Sequence, residues 1–586
     1  MNNPYKKNIF FLQLTTLWDS KFCCFNLGML SIATLLKKSG FSVECLKSDQ
    51  LESLTYENKE KYFKTANPEI IGFNINSDNI HSVVYFARDL KKWLPDVIIL
   101  VGGPLVSIMM ETVLDEPSFD MAIVGEGEFP TLKLCNKIIK NKGCFEDIEG
   151  LIYRKDGKVI TNPKGALIEN LDILPTPDYT LTDACGAFSY FSGRGCPFNC
   201  SFCFQGVHGR GYRYFSAGRV VNDIINISEK HKMKAVAIGD DTFIANPKRT
   251  VQICEGLIKE KNKRNLKFSI WCEGRIDTLY RHPELLDILK KAGLVKLQLG
   301  IENGNQEVLD AYNKHITLEQ IEAVVSNVAN EMIFMNGNII IGGPFETYKT
   351  FEKSLEFAIK LMRLSPGLLE INPVFLCPYP GTDITKNPDK YGLTIIDANW
   401  LKSLSTLLPS LTTKDLNVFD LMNLKHIFLD RAKIEMLKML KIAGFETMSF
   451  HMYLSSLGFE TDYYQMLLHF APVIKKYFEL KNKSSRFRLD EMNYEKLLSS
   501  KPIGLIRPLY SGKNYILEGY FDKIDIKKPE EKLIYDFSTG KLNIVEIAQF
   551  VKSKLSLDND IEPIIKTIMI PFYKRIEKSY HIIFQI

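Results

Sequence analysis

The chain lacks a membrane-length apolar run, a basic stripe and a cysteine framework, and each absence narrows what it does. No apolar stretch among its 586 residues approaches the roughly 20 that cross a bilayer, so no membrane span is expected. Met1 to Lys7 is polar, and Asn8 to Leu14 is too short and too interrupted to be the apolar core of a secretory signal. The net charge of +5 is small for the length, and short patches such as Lys259 to Arg264 carry no interleaved aromatics, which argues against a nucleic-acid partner. Twelve cysteines are scattered without paired spacing, as expected of a protein kept in a reducing cytoplasm. What is present is an ordinary globular composition, 45% apolar and 24% charged, in a chain too long for one core. Three or four domains are expected.

Three of the cysteines are clustered. Ser192 to Gln205 reads S-G-R-G-C-P-F-N-C-S-F-C-F-Q and places Cys196, Cys200 and Cys203 in a C-x3-C-x2-C pattern. Gly193 and Gly195 let the backbone before them turn tightly, so that three thiolates can be aimed at one point. A zinc site needs four closed ligands, and no second pair follows at zinc-like spacing. A 4Fe-4S cubane held by three thiolates leaves one iron open to a substrate or cofactor. The residues alone favour the cluster, with zinc or plain loop cysteines as alternatives.

The motif resembles the cluster loop of the radical S-adenosylmethionine (SAM) enzymes. The resemblance implies that the amino and carboxylate groups of SAM chelate the open iron. It further implies that an electron, from a donor such as flavodoxin or ferredoxin, cleaves SAM to a 5'-deoxyadenosyl radical. Phe202, before the third cysteine, matches the family's aromatic position flanking the adenine; an ordinary core phenylalanine is the alternative.

Upstream, from Asn8 to about Gly150, short apolar runs alternate with helical stretches, the pattern of a parallel sheet covered on both faces. Strands are expected at 8–14, 42–46, 70–74, 97–101 and 121–124, with a helix at 27–39. Open parallel sheets bind ligands beyond the strand carboxyl ends. The ends here carry Asn74, Asn76 and Ser77, then Gly102-Gly103-Pro104, then Gly125-Glu126-Gly127-Glu128. In this order, ahead of a radical SAM loop, they resemble the cobalamin-binding domain of the B12-dependent radical SAM enzymes. That resemblance implies that these ten residues bind cobalamin. No D-x-H-x-x-G string is present, and Asp78 to His81 has the wrong spacing, so the cobalt is expected to lack a histidine lower ligand.

A connector, 151–186, holds a strand pair and a Pro175 to Pro177 turn, and alternation resumes from Ala187 to about 390. Six strands, expected at 187–191, 234–238, 267–271, 295–299, 337–341 and 369–376, suggest a partial (β/α)6 barrel with chemistry at the strand carboxyl ends. The family resemblance implies SAM contacts in these loops. Gly239, Asp240 and Asp241 would receive its amino group, and Arg275 its carboxylate as a bidentate pair. Glu302 would touch the ribose, and Gly342 and Gly343 the adenine. Gly300 to Gly304 resembles the family's G-I-E-S-G with Asn303 departing from it, and Pro378 to Thr382 resembles P-x-P-G-T.

The expected fold class is thus α/β, with a Rossmann-like B12-binding domain at 1–150 and a radical SAM partial barrel at 187–390. A mainly helical region at 391–532 and a tail at 533–586 complete the chain. The tail reads as helices ending in a strand hairpin, distantly similar to the winged-helix recognition elements of ribosomal-peptide tailoring enzymes. Met, Phe and Tyr are frequent in the helices from Leu416 to Leu480, which are expected to cover the gap between the two sheets.

The resemblance implies a cobalamin-dependent radical SAM methyltransferase of class B type, using a 4Fe-4S cluster, SAM and cobalamin. It would act on an unactivated carbon of a peptide or natural-product intermediate. A B12-dependent cyclase or oxidase without methyl transfer, and a non-catalytic iron-sulfur sensor, are the alternatives.

Overall fold

Continuous apolar runs, rather than alternating ones, build the first sheet, because a central parallel strand is buried on both faces. β1 (Ile9–Gln13), β2 (Val43–Lys47), β3 (Ile70–Asn74), β4 (Ile98–Gly102) and β5 (Met121–Ile123) lie parallel in the order β2-β1-β3-β4-β5. The connector's strand pair, β6 (Leu151–Lys155) and β7 (Lys158–Thr161), extends the same sheet antiparallel beyond β5. The helices on its faces show why they form. In Leu27–Lys38 the Asn26 side chain accepts from the Met29 amide at the start, and Lys37 and Lys38 complement the dipole at the end. Ile80–Trp93 buries Ile80, Val83, Ala87, Leu90 and Trp93, which share one face at helical spacing.

The computed structural model describes residues 8–14, 25–182, 186–205, 211–396, 408–443, 445–470, 486–505, 508–511, 514–518, 523–557, 560–577 and 582–585. The Cys185 and Gly444 positions lie outside them.

After β8 (Ala187–Tyr190) comes a short antiparallel hairpin, β9 (Gly193–Arg194) with β10 (Arg213–Tyr214), whose arms frame the cysteine loop. β11 (Ala235–Ile238), β12 (Ser269–Gly274), β13 (Leu294–Glu302), β14 (Phe334–Ile341) and β15 (Leu369–Phe375) then follow. They join β8 in a six-stranded, wholly parallel sheet in the order β15-β14-β13-β12-β11-β8. β12 runs three residues past its expected end, to Gly274, because Cys272 to Gly274 continue the parallel ladder with Leu297 to Leu299 of β13.

The chain divides into two compact units, 1–436 with 457–459, and 437–456 with 460–586. The first holds both parallel sheets. In the second, the helices Pro529–Phe537, Ile544–Leu555 and Ile570–Glu577 bury Ile534, Ile547, Val551, Phe572 and Ile576 in one core with Leu489, Leu497, Leu517 and Ile526. The last strand, Ile582–Gln585, corrects the expected terminal hairpin: it lies between Arg486–Phe487 and Lys501–Gly504, antiparallel to both. The tail therefore shares its sheet and core with the residues before it. Among the described residues no helix is long and apolar enough to cross a membrane.

Candidate active site at two adjoining cavities

The carboxyl ends of both parallel sheets open onto cavities. The larger, about 420 Å³, is bordered on one side by Asn74, Gly102, Gly103, Pro104 and the Gly125 to Glu128 turn. On the other side stand Phe191, Gly193 to Gly195, Phe204, Arg213 and Gly239 to Asp241. The smaller, about 320 Å³, is bordered by Cys196, Cys200, Phe202, Cys203, Arg275 and Glu302. Gln205 and Asp241 border both, so the two spaces meet at these side chains.

Glycines shape the first cavity. Gly103 has φ +106°, and a Cβ there would stand 2.9 Å from the Ile75 carbonyl oxygen, so no other residue fits without moving the turn. A Cβ on Gly102 would meet nothing closer than the Ile123 carbonyl at 3.8 Å and would project into open space. This backbone-lined cradle suits a bulky macrocycle. Asn76 and Ser77 do not border it. The Asn76 carboxamide instead accepts from the amides of Asp78 and Asn79, forming the turn that starts the next helix. No histidine borders either cavity among the described residues.

Glu126 and Glu128 border the cavity, but their carboxylates are engaged. Glu126 accepts from Arg194 Nη1 at 2.7 Å, from Arg213 Nη1 at 2.9 Å and from the Ile168 amide at 2.7 Å. Glu128 accepts from Arg194 Nη2 and from Ser31 Oγ. Burial pushes the Glu126 carboxyl up, but Arg213 and Arg194 hold it below the ordinary value. These two side chains thus tie the turn to the cysteine-loop hairpin while bordering the cavity.

The cysteine loop is pinned along its length. Asp240 accepts from the amide of Ser192 at 2.6 Å and from its hydroxyl at 2.5 Å, and Arg249 Nη2 donates to the Ser192 carbonyl at 2.6 Å. Further on, the Ser201 amide donates to the Tyr312 carbonyl at 3.0 Å, and Asn313 Nδ2 donates to the Asn199 carbonyl at 2.8 Å. Phe202 packs edge-on against Tyr312 with centroids 4.7 Å apart. All three cysteine thiols border the smaller cavity. Among the described residues no three His, Cys, Asp or Glu side chains converge closely enough for a single metal ion. Three thiolates on one loop are the donor set of a cluster, in which each takes a different iron.

The other expected SAM residues divide. Asp241, Arg275 and Glu302 border the smaller cavity, whereas Gly239, Asp240, Gly342 and Gly343 do not. Asp240 is buried and committed to Ser192, its carboxyl pushed up to about 6 by burial against the Ser192 hydrogen bonds and the Arg249 charge. Arg275 is spent on the protein: Nε donates to Asp277 at 2.8 Å, Nη2 to the Lys314 carbonyl at 3.0 Å, Nη1 reaches Cys200 Sγ at 3.6 Å, and the guanidinium lies 3.6 Å from the Phe198 ring centroid. These contacts brace the cysteine loop at the edge of the smaller cavity. Glu302, in the left-handed region at φ +64°, pairs with Lys314. Gly342 and Gly343 pack toward Leu421 and Tyr312, and the Gly342 amide donates to the Glu346 carboxylate.

Sequence reasoning missed the inner wall of the barrel. Gln298 on β13, Asn338 on β14 and Glu273 on β12 border the smaller cavity with Cys377 and Tyr379. The signal was a period of two. Lys296 and Gln298, Asn336 and Asn338, and Glu370 and Asn372 alternate with buried Leu297, Leu299, Ile339 and Ile371. Asn336 donates across to Glu370 at 3.1 Å. Burial, with Asp241, Asp240 and Glu302 nearby, pushes the Glu273 carboxyl up to about 8. Of the expected covering helices, Leu421 lies against Gly342 and Lys425 over the Phe375 ring, while residues 471–480 lie outside the described residues.

Two parallel sheets with facing carboxyl ends, one bearing a glycine cradle and the other a three-cysteine loop, define a two-cofactor enzyme. Residues 16–133 match the B12 binding domain and residues 190–358 the radical SAM superfamily. The chain thus carries the two domains that make up a B12-dependent radical SAM enzyme, and these imply a 4Fe-4S cluster, SAM and cobalamin as its cofactors. It is 28% identical over 360 residues to an uncharacterized methyltransferase of Pyrococcus horikoshii, covering 60% of this chain and 76% of that one. It is also 28% identical over 344 residues to the anaerobic magnesium-protoporphyrin IX monomethyl ester cyclase of Rubrivivax gelatinosus, covering 56% of this chain and 60% of that one. The radical SAM methyltransferase TsrM from Kitasatospora setae, solved with cobalamin and a [4Fe-4S] cluster bound, matches with TM-score 0.59 at 14% identity over 73% of this chain and 89% of that chain, a likeness of fold.

Proposed function

We propose that the protein methylates an unactivated carbon of a natural-product intermediate or peptide. The observation that carries this reading is the junction of the two cavities at Gln205 and Asp241, which lets one substrate atom be addressed from both sides. When bound, the cofactors supply a hydrogen-abstracting radical and a transferable methyl group, which a carbon without an acidic proton requires.

In this reading Cys196, Cys200 and Cys203 are the three cluster ligands, and the backbones of Gly102, Gly103, Gly125 and Gly127 hold the corrin. Asp241, which hydrogen-bonds with Gln205 and is pushed up by burial, presents a carboxyl group where the two spaces meet. Glu273, Gln298 and Asn338 offer hydrogen bonds within the barrel. Phe202 and Tyr312 form an apolar wall behind the cysteines. A flavodoxin or ferredoxin is the reductant proposed.

Anaerobic incubation with SAM, a reductant and a candidate substrate tests the reading. 5'-Deoxyadenosine formed together with S-adenosylhomocysteine supports methyl transfer. Deoxyadenosine alone favours the cyclase reading, which the similarity to the Rubrivivax protein keeps in view.

A further inference from the structure

The hairpin that carries the cysteine loop has a local conflict built into it. Arg194 on β9 and Arg213 on β10 are directly opposite in the antiparallel register. Two like charges at such cross-strand positions repel, so the hairpin is unfavourable by itself. The relief comes from the other sheet. Glu126 accepts from both arginines, and Glu128 takes the second edge of Arg194. All four side chains are at most one-fifth exposed, and their charges sum to zero. They stand on the wall of the larger cavity, and Arg194 is two residues before Cys196.

We propose that this quartet is a positioning device that couples occupancy of the cobalamin cradle to the shape of the cysteine loop. The inference rests on the cofactor assignment above and goes beyond it by giving the G-E-G-E turn a role other than holding cobalamin. Glu126 and Glu128 lie in the same turn as the cradle glycines Gly125 and Gly127. A ligand that settles this turn fixes the carboxylates, the carboxylates fix the two arginines, and the arginines fix the hairpin that delivers Cys196. By linkage the effect is reciprocal: a cluster that orders the loop tightens the cradle by the same factor. Arg194 is a positioning residue here, since it acts through the loop and not on substrate. The far part of the loop is held independently, by the Ser201 amide on the Tyr312 carbonyl and by Asn313 on the Asn199 carbonyl, so the cobalamin-side anchor can vary without releasing the loop.

The test is a pair of hydroxocobalamin titrations, on cluster-reconstituted and on cluster-free full-length protein. Couplings of this kind span roughly 5- to 150-fold, so the wild-type dissociation constants are expected to differ by at least fivefold, tighter with the cluster. In the Glu126→Gln/Glu128→Gln protein the ratio falls toward one. Arg194→Lys, which keeps the charge but loses the bidentate fork, gives an intermediate ratio and carries the test if the double variant does not fold. Hydrogen exchange supplies a second readout. Hydroxocobalamin slows exchange at residues 193–194 and 213–214 in the wild type but not in the variant, while residues 102–103 are protected in both. A wild-type ratio of one, or the same ratio in wild type and variants, overturns the coupling. Failure of the wild type to bind hydroxocobalamin at all overturns the cofactor assignment, and the coupling with it.

Discussion

Two adjacent glycines at the end of β4 separate a structural role from a binding role, and alanine at each gives opposite outcomes. Gly103 has φ +106° and ψ −174°, a region essentially confined to glycine that costs other residues about 1–3 kcal/mol. Its added Cβ would also press on the Ile75 carbonyl at 2.9 Å, which cannot yield freely because it accepts from the Leu105 amide. Gly103→Ala is therefore expected to destabilise the apo protein by roughly 2–4 kcal/mol. Gly102 has neither constraint, and replacing a strand glycine removes some unfolded-chain entropy, so Gly102→Ala leaves apo stability unchanged or raises it by up to about 1 kcal/mol. Its methyl group would instead occupy the cradle. Forcing a methyl into filled space costs about 1–3 kcal/mol, or roughly a 5- to 150-fold loss of affinity. Urea unfolding of both apo variants and anaerobic hydroxocobalamin titration of Gly102→Ala measure the two effects. A Gly102→Ala protein that is as stable as wild type and binds hydroxocobalamin equally well would refute the cradle.

Alanine at Cys196, Cys200 or Cys203 is expected to abolish SAM cleavage, whereas Cys272→Ala, in the fully buried core of β12, loses about 1–2 kcal/mol of stability and keeps its iron; full activity in a loop variant would sink the ligand assignment. Glu346 is pushed by burial from the ordinary 4.5 to about 7, against hydrogen bonds from the Gly342 and Gly343 amides. Because its folded value is raised, its contribution is fully present below pH 4.5 and is lost as pH rises through about 7. Wild-type stability measured relative to Glu346→Gln should thus fall by roughly 3 kcal/mol over that range, and a flat difference would show that the carboxyl is not buried as described. Deleting residues 533–586 removes the middle strand and most of the core of the second unit, so residues 486–532 are expected to lose their structure; native-like hydrogen-exchange protection there in the truncated protein would contradict the shared core. Cobalamin bound to the wild type in its Co(II) state is expected to show no nitrogen coupling from a protein histidine by electron paramagnetic resonance, since none borders the cradle among the described residues; such a coupling would overturn that view.

The strands were legible in the sequence because a doubly covered parallel strand is a short, uninterrupted apolar run, and β3 matches its expected limits throughout. The cysteine loop was legible from its spacing, and the glycine turns from their place after strands. Side-chain roles were less so. The arginine partners of Glu126 and Glu128 are 66 to 87 residues away, and nothing local marks Arg194 or Arg213 as their counter-ions. The partners of Asp240 and Arg275 were hidden for a related reason: a charged residue after a strand looks free until the groups that neutralise it are placed beside it. The last strand looked like half of a hairpin because its partners, Arg486–Phe487 and Lys501–Gly504, lie outside any local window.

The alternation along β13 to β15 divides labour across the thickness of a single sheet. Leu297, Leu299, Ile339 and Ile371, facing the helices, keep the barrel folded, while Gln298 and Asn338 on its inner side are only half buried. Inner-side changes therefore fall where stability is least sensitive, outside the mechanisms that make substitutions severely destabilising. Such a barrel can be re-lettered on one side for a new substrate while the other side is left as it was. This gives a physical reason why one scaffold carries relatives with names as different as methyltransferase and cyclase.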